Sequence, residues 1–94
     1  MERSFYVLAY DIADDRRRQK IAKICESTAE RVQGSVFEAY LTKMELKELI
    51  KRVDMVFDQK EDSLRIYFLC ADCREKIETE GLGRVTPEPG LTIV

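Results

Sequence analysis

The chain contains no histidine among its 94 residues. Histidine is the commonest general base in enzymes and a common zinc ligand, so catalysis here must use carboxylates, hydroxyls, cations or a metal held by oxygen. No apolar run approaches the roughly 18 residues that a membrane span needs. The N-terminus begins directly with strand-like sequence and has no apolar signal core, so we expect a cytoplasmic protein that does not contact a membrane.

Cysteine is scarce and odd in number, at Cys25, Cys70 and Cys73. An odd count argues against the disulfide framework of a secreted protein. Cys70 and Cys73 have C-x-x-C spacing, but neither a second pair nor a histidine accompanies them, so the zinc signal is weak. The ordinary interpretation is packing at a strand end and in the turn after it, with metal or redox use as the alternative.

Charge of neither sign dominates, and the net charge is −2. This balance argues against a strongly basic nucleic-acid-coating protein, although it permits local basic patches. The hydrophobic share of 45% and the charged share of 36% are typical of an ordered globular chain. A chain of this length buries a modest core and often completes it by forming oligomers.

The first half of the chain predicts a strand, a helix and a broken strand. Residues 4–10, SFYVLAY, form an almost continuous apolar run, which predicts a strand buried on both faces. Asp14 or Asp15 then caps a helix that runs to about residue 29. Residues 31–41 predict a second strand region, which Gly34-Ser35 interrupts. The core stripe of the helix is Ile21, Ile24, Cys25 and Thr28.

The second half predicts a helix, a strand and a tail. Thr42 caps the helix, with Glu45 three residues later as in a capping box. After the charged loop 58–62, residues 63–70 predict a strand, and residues 74–79 and the terminal LTIV predict short further strands. The core stripe of the helix is Leu46, Leu49, Ile50, Val53, Val56 and Phe57. The shared face of the strand is Leu64, Ile66, Phe68 and Cys70.

The break at Gly34-Ser35 lets one run serve as two strands, so the element order is β-α-β-β-α-β. That order predicts an α+β, ferredoxin-like split βαβ fold, with an antiparallel sheet and both helices on one face. A tail strand without a place in its own sheet often pairs with a neighbour's edge, which predicts a C-terminal strand pairing across a homodimer. We assign residues 1–94 to one domain, with its core at 3–70 and dimerisation strands within 74–94.

Asp11 directly follows the buried first strand. An isolated buried carboxylate is costly, so it must be solvated, hydrogen-bonded or bound to a cation; a loop-starting aspartate that accepts from nearby amides is the ordinary alternative. Magnesium needs only one or two carboxylates when phosphate and water complete its shell. A two-fold axis near Asp11 would bring the second carboxylate from the partner chain, and the ion would polarise a phosphodiester and activate water.

A basic cluster opens the first helix. Three consecutive arginines turn by about 100° each, so they cannot all face the core. A solvated helix face is the usual fate of such a run, whereas phosphate binding is the functional alternative, helped by the free amides of the helix N-terminus. The cluster is Arg16, Arg17, Arg18, Lys20 and Lys23. Ser35 at a bend and Phe37 in a strand are, by position alone, a turn former and a core residue.

Four segments together resemble the second core protein of CRISPR spacer acquisition, the small nuclease-like partner of the CRISPR integrase. They are YDI at 10–12 after the apolar strand, the Asp-rich turn followed by Arg and Lys, RVQGSVFEAYL at 31–41 and DSLRIYFL at 62–69. The segments span about residues 5–70 in matching order, and R-V-Q-x-S-V-F-E is the most specific of them.

The resemblance implies a ferredoxin-like homodimer and a divalent metal, usually Mg²⁺, at Asp11 on the dimer interface. It implies endonuclease activity on RNA or double-stranded DNA, and a complex in which the dimer bridges two integrase dimers and holds DNA. Ser35 and Phe37 fall on motif positions linked with the active region, so the implied catalytic set is Asp11, Ser35 and Phe37. Nucleic-acid contacts are implied for Arg31 and the basic cluster.

Two functional hypotheses follow from different classes. In the first, the chain is a Mg²⁺-dependent phosphodiesterase in which paired Asp11 residues bind the metal. In the second, it is a DNA-holding scaffold dimer within the integration complex, for which Asp11 is dispensable. A toxin-type ribonuclease of related shape is a third alternative.

Overall fold

The computed structural model describes residues 2–88, and the element order that it gives confirms the predicted β-α-β-β-α-β plan, followed by one short helix. The four strands form one antiparallel sheet in the order β2-β3-β1-β4. The α+β, ferredoxin-like prediction is therefore correct. The elements are β1 (Ser4–Asp11), α1 (Asp15–Glu26), β2 (Glu30–Gln33), β3 (Val36–Leu41), α2 (Lys43–Asp54), β4 (Ser63–Leu69) and α3 (Ala71–Glu75).

β1 is a central strand of the sheet, and Asp11 is its last residue. Leu8 lies opposite Phe37 of β3 on one side and Ile66 of β4 on the other. Leu8 and Phe37 are fully buried in a core that also takes in residues of α1 and α2, so both helices cover the same face. Phe5 points to the opposite face and is nevertheless buried, which confirms the predicted burial on both faces at that position.

The first helix begins as predicted and ends earlier than predicted. Asp14 is its capping residue, and its carboxylate accepts from the Arg17 amide at 3.0 Å, which satisfies one of the unpaired amides of the first turn. The helix stops at Glu26 instead of about residue 29. Thr28 is consequently exposed, and the prediction that it belongs to the core stripe is wrong; Ala22 is buried instead.

The second helix has the predicted capping box. The Glu45 amide donates to the Thr42 hydroxyl at 3.1 Å, and the Thr42 amide donates to the Glu45 carboxylate at 2.8 Å. Leu49 and Val53 are its fully buried residues. Thr42 is the only residue between β3 and α2, so the capping box fixes the direction in which the chain leaves the sheet.

β4 is an edge strand, and its predicted apolar face is only partly covered. Leu64 and Ile66 pack against the core, whereas Phe68 is 62% exposed and Cys70 is exposed. Phe68 contacts the Tyr6 ring, with centroids 5.7 Å apart, but lies outside the cluster of buried residues that the two long helices cover. Phe68 does share the face of Leu64 and Ile66, as predicted, although it is exposed. Cys70 lies beyond the end of β4 as the residue that precedes α3, so its assignment to the strand face is wrong.

The tail takes a course that the sequence did not indicate. The predicted strand over 74–79 is absent from this described stretch, because α3 ends at Glu75 and irregular chain follows. The Arg74 guanidinium stacks over the rings of Phe5 and Tyr40, 5.5 and 5.0 Å from their centroids, and donates to the Thr86 carbonyl at 2.9 Å. The predicted LTIV strand, 91–94, lies outside the described residues.

The Thr86 end of the tail is anchored on the face opposite the long helices. The Thr86 amide and hydroxyl donate to the Glu38 carboxylate at 3.0 and 2.6 Å. Within residues 2–88, none of the helices has the length and apolar character of a membrane span.

Replacing Thr42 with alanine removes the hydroxyl half of the capping box. We expect Thr42→Ala to lower the free energy of unfolding by about 1 kcal/mol, as for other lost helix caps, measured by urea denaturation. Thr28→Ala is the matched control, because Thr28 is exposed and its side chain makes no hydrogen bond with the described residues. Equal losses in the two variants would contradict the capping role.

Candidate active site

Asp11 is the last residue of β1 and its side chain is exposed. It lies opposite Ser63, the first residue of β4, and its carboxylate makes no hydrogen bond or ion pair with any other residue in the range 2–88. The carboxylate is therefore solvated, which settles how the end of a buried strand accommodates it. Asp11 lines a cleft of about 330 Å³ together with Tyr10, Ile12, Arg18, Gly34 and Ser35.

The turn between β2 and β3 brings Ser35 beside Asp11. Gly34 and Ser35 form a two-residue connection, and the Tyr10 amide donates to the Ser35 carbonyl at 3.1 Å. The space around Gly34 is open, with no atom within 4 Å of where a side chain would begin, and its φ is not positive. The predicted pause is a hairpin turn, and it places the half-buried Ser35 in the lining of the cleft.

Phe37 lies beneath the cleft and does not line it. Its side chain is fully buried, its ring stacks on that of Tyr10 with centroids 6.0 Å apart, and the Arg31 guanidinium lies 5.3 Å from its centroid. Burial raises the pKa of the Tyr10 hydroxyl, so the ring stays neutral. The geometry gives Phe37 a positioning role for its two neighbours and no surface with which to touch a substrate.

Asp62 is the site-building residue that the sequence did not reveal. Its carboxylate is enclosed and accepts from the amides of Ala13 at 3.0 Å and Asp58 at 2.9 Å, and from Arg17 Nε at 2.9 Å. The Arg17 guanidinium beside it, helped by the two amides, lowers the pKa of Asp62 to about 2. Asp62 thus ties the loop after Asp11 to the loop before β4.

The five predicted cations of the basic cluster divide into different structural roles. Arg17 is occupied by Asp62 and by Glu61, whose carboxylate accepts from its Nη2 at 3.0 Å. Arg18 donates twice to the Ile12 carbonyl, at 3.2 and 2.9 Å, and so braces the loop that follows Asp11 while lining the cleft. The prediction that these residues contact nucleic acid stays a prediction, but Arg17 is the member that is held away from solvent.

Lys23 and Arg31 line a second cleft of about 400 Å³, which shares Tyr10, Arg18 and Gly34 with the first. Arg31 also pairs with Glu26 at 3.3 Å. The two clefts are therefore contiguous, and cationic side chains lie along a path that leads to Asp11. Arg16 and Lys20 are exposed and line neither cleft.

The side chains near Asp11 can be compared with the ligands that a divalent cation requires. Within residues 2–88 there is no cluster of three or more His, Cys, Asp or Glu side chains that could hold a metal ion. Mg²⁺ prefers oxygen ligands and keeps several waters, so one or two carboxylates suffice when phosphate completes its shell. The solvated carboxylate of Asp11 supplies one such ligand, and the Asp11 of a second chain would supply another. Ser35 in the same cleft and Ser63 opposite Asp11 add neutral oxygen atoms.

Comparison with known proteins gives concordant results. The family model described as CRISPR associated protein Cas2 matches residues 4–77. The chain is 45% identical over 89 residues to the CRISPR-associated endoribonuclease Cas2 3 of Synechocystis, covering 95% of this chain and 97% of that protein. It is 42% identical over 83 residues to the CRISPR-associated endonuclease Cas2 2 of Thermus thermophilus, covering 88% of each chain.

A solved structure agrees with the sequence matches. The crystal structure of a hypothetical protein from Thermus thermophilus superposes with a TM-score of 0.78 at 41% identity. The match covers 88% of this chain and 96% of that one. The two chains thus share their fold over nearly the whole of both.

Asp62 makes a testable contribution to stability. Because its folded-state pKa is about 2 and its ordinary value is 3.8, its stabilisation is fully present above about pH 4 and is lost as the pH falls toward 2. We expect the urea midpoint of Asp62→Asn to be lower than that of the parent chain at pH 7, and this difference to shrink between about pH 4 and pH 2.

The control for this measurement is Asp54→Asn, the same chemical change at an exposed position at the end of α2. It should follow the parent chain at every pH. A difference between Asp62→Asn and the parent chain that does not change with pH would contradict the charge-based role of the carboxylate.

Proposed function

This chain belongs to the CRISPR associated protein Cas2 family, and from that premise we propose that it is a metal-dependent endonuclease. It cleaves phosphodiester bonds of RNA or double-stranded DNA, and it acts with the CRISPR integrase in spacer acquisition. The relatives named above carry both the endoribonuclease and the endonuclease description, so both nucleic acids are candidate substrates. The working location is the cytoplasm.

The observation that carries the proposal is the solvated carboxylate of Asp11 at one end of a row of cations. We call this row, Arg31, Lys23 and Arg18, the cationic track. A phosphate backbone lying along Arg31, Lys23 and Arg18 reaches the cleft in which Asp11 and Ser35 lie. Cations attract the backbone through its charge and release its counterions, which gives binding without sequence preference. The site therefore has the two parts that a phosphodiesterase needs, a backbone track and an exposed oxygen ligand.

The roles of the side chains follow from their contacts. Asp11 and the Asp11 of a second copy would hold a divalent cation, preferably Mg²⁺, which when bound supplies Lewis-acid polarisation of the phosphodiester. Arg18 holds the loop after Asp11 through the Ile12 carbonyl and presents its charge to the phosphate. Phe37 holds the Tyr10 ring and the Arg31 guanidinium in place from below.

A second candidate function is favoured by the small number of acidic ligands. With a single exposed carboxylate at the cleft and no three-residue metal cluster within 2–88, a homodimer that holds DNA between integrase dimers needs only the cationic track. In that scaffold function the Asp11 carboxylate is dispensable. The tail, which ends beyond the described residues, is the segment we propose for pairing across the dimer.

Asp11→Asn separates the two functions, because it keeps the size and polarity of the side chain and removes its charge. For the endonuclease we expect Mg²⁺-dependent cleavage of RNA or duplex DNA to fall about a hundred- to a thousandfold, since loss of several kcal/mol of charge stabilisation corresponds to that factor. Asp54→Asn is the matched control and should cleave like the parent chain. Equal cleavage by Asp11→Asn and the parent chain, with or without chelator, would exclude the paired-aspartate mechanism.

If DNA binds along the cationic track, two double variants that remove the same charge should differ in the salt dependence of DNA binding. We expect Lys23→Gln with Arg31→Gln to weaken duplex DNA binding and to reduce the slope of log affinity against log salt by about 1.8, the value for two lost phosphate contacts. Arg16→Gln with Lys20→Gln removes the same charge from residues that line neither cleft, and should change the slope much less. Identical slopes for the two double variants would show that binding depends on net charge and not on the track.

A further inference from the structure

Two exposed thiols lie where β4 leads into α3, and the proposed function uses neither of them. Cys70 is the capping residue that precedes α3, and Cys73 lies in the first turn of that helix. Both are exposed, whereas Cys25 lies on the buried face of α1. Residues three apart on a helical turn are neighbours, with Cβ atoms about 5–6 Å apart. A disulfide brings the Cβ atoms to about 3.5–4.5 Å, so a bond between these two requires the first turn of this five-residue helix to tighten slightly.

The two thiols have unequal surroundings. The backbone amide and the thiol of Cys73 lower the pKa of the Cys70 thiol, whereas the Cys70 thiol raises the pKa of Cys73. A thiol that ionises more readily is the one that attacks a disulfide, and its neighbour is the one that resolves the resulting adduct. Burial raises the pKa of Cys25 to about 11, which leaves it unreactive in the folded chain.

An open cleft of about 390 Å³ gives access to Cys70. Arg3 and Arg74 lie along its wall, and the Arg74 Nε and the Tyr40 hydroxyl are buried there without a hydrogen-bond partner among the described residues. Such unpaired buried groups favour a ligand or water that satisfies them. Arg3 and Arg74 thus offer positive charge to the carboxylates of a small molecule beside the more acidic thiol, and Glu75 and Glu88, which line the same cleft, offer negative charge to its amines.

Structural zinc is the other common use of C-x-x-C, but it normally takes four nitrogen or sulfur ligands. Within residues 2–88 no third His, Cys, Asp or Glu side chain joins the pair in a metal-binding group. The pair is thus complete for two-electron thiol chemistry and incomplete for a zinc site.

We propose that Cys70 and Cys73 form a redox-active dithiol that small anionic disulfides, of the class of oxidised glutathione, oxidise to an intramolecular disulfide. The Cys70 thiolate attacks one sulfur of the reagent, which forms a mixed disulfide and releases one reagent thiolate. Cys73 then loses its proton to solvent and attacks the Cys70 sulfur, which forms the Cys70–Cys73 bond and releases the second thiolate. Two protein thiols are oxidised, and one reagent disulfide is reduced to two thiols.

The bond would close the first turn of α3, the turn that carries Arg74. Because Arg74 stacks on Phe5 and Tyr40 and holds the Thr86 carbonyl, oxidation would fix the start of the tail on the sheet. The inference concerns residues away from Asp11, so it stands independently of the nuclease and scaffold functions.

The test treats the reduced full-length chain with oxidised glutathione, quenches with acid, alkylates the remaining thiols and maps the peptides by mass spectrometry. We expect a Cys70–Cys73 disulfide, with loss of two hydrogen atoms, while Cys25 is alkylated only after denaturation. Cys73→Ser should accumulate the glutathione adduct at Cys70. Cys70→Ser should accumulate its adduct at Cys73, and neither serine variant should form an intramolecular disulfide.

Several results would overturn the inference. Disulfides that join two chains and not one, or glutathione adducts that persist at both cysteines of the parent chain, would each do so. Stoichiometric zinc in the purified protein, bound by these thiols and protecting them from oxidation, would also do so by assigning the pair to a metal. The peptide map of the parent chain remains decisive if either serine variant fails to fold.

Discussion

A carboxylate enclosed in protein is unfavourable unless amides and cations compensate its charge, and the site end of this sheet is built around one such compensation. Asp62 is satisfied only when the chain after β1, the first turn of α1 and the loop before β4 all meet at it. These are the segments that flank Asp11 and its neighbour Ser63. The bonds of the buried Asp62 carboxylate thus hold the loops that flank Asp11, while the Asp11 side chain itself is solvated.

The position of Asp62 also explains why the three consecutive arginines have different surroundings. Adjacent positions on a helix point about 100° apart, so Arg17 turns toward Asp62, Arg18 turns toward the Ile12 carbonyl, and Arg16 is left facing solvent. One arginine stabilises the fold, the next braces the loop and borders the cleft, and the third contributes charge only. A charge run read from sequence gives the total charge but not this division of roles.

The features that the sequence predicts correctly are those set by local chemistry. The Thr42–Glu45 capping box, the Asp14 cap and the hairpin at Gly34-Ser35 each depend on a few neighbouring residues. The errors at Thr28, Cys70 and residues 74–79 arise where an outcome depends on how far an element extends. Asp62 escaped notice for the same reason, since its partners Ala13 and Arg17 are more than 40 residues away in the chain and only the β1–β4 register brings them together.

The candidate site is consequently defined in part by the single chain and in part by association. The loop geometry, the cationic track and the solvated Asp11 are complete within one copy, whereas the second carboxylate that a divalent cation requires is not. Under the two proposals, holding nucleic acid needs only the first set, whereas metal-dependent cleavage also uses Asp11. The two proposed functions therefore depend on different side chains, so that a loss of cleavage leaves binding through the cations in place.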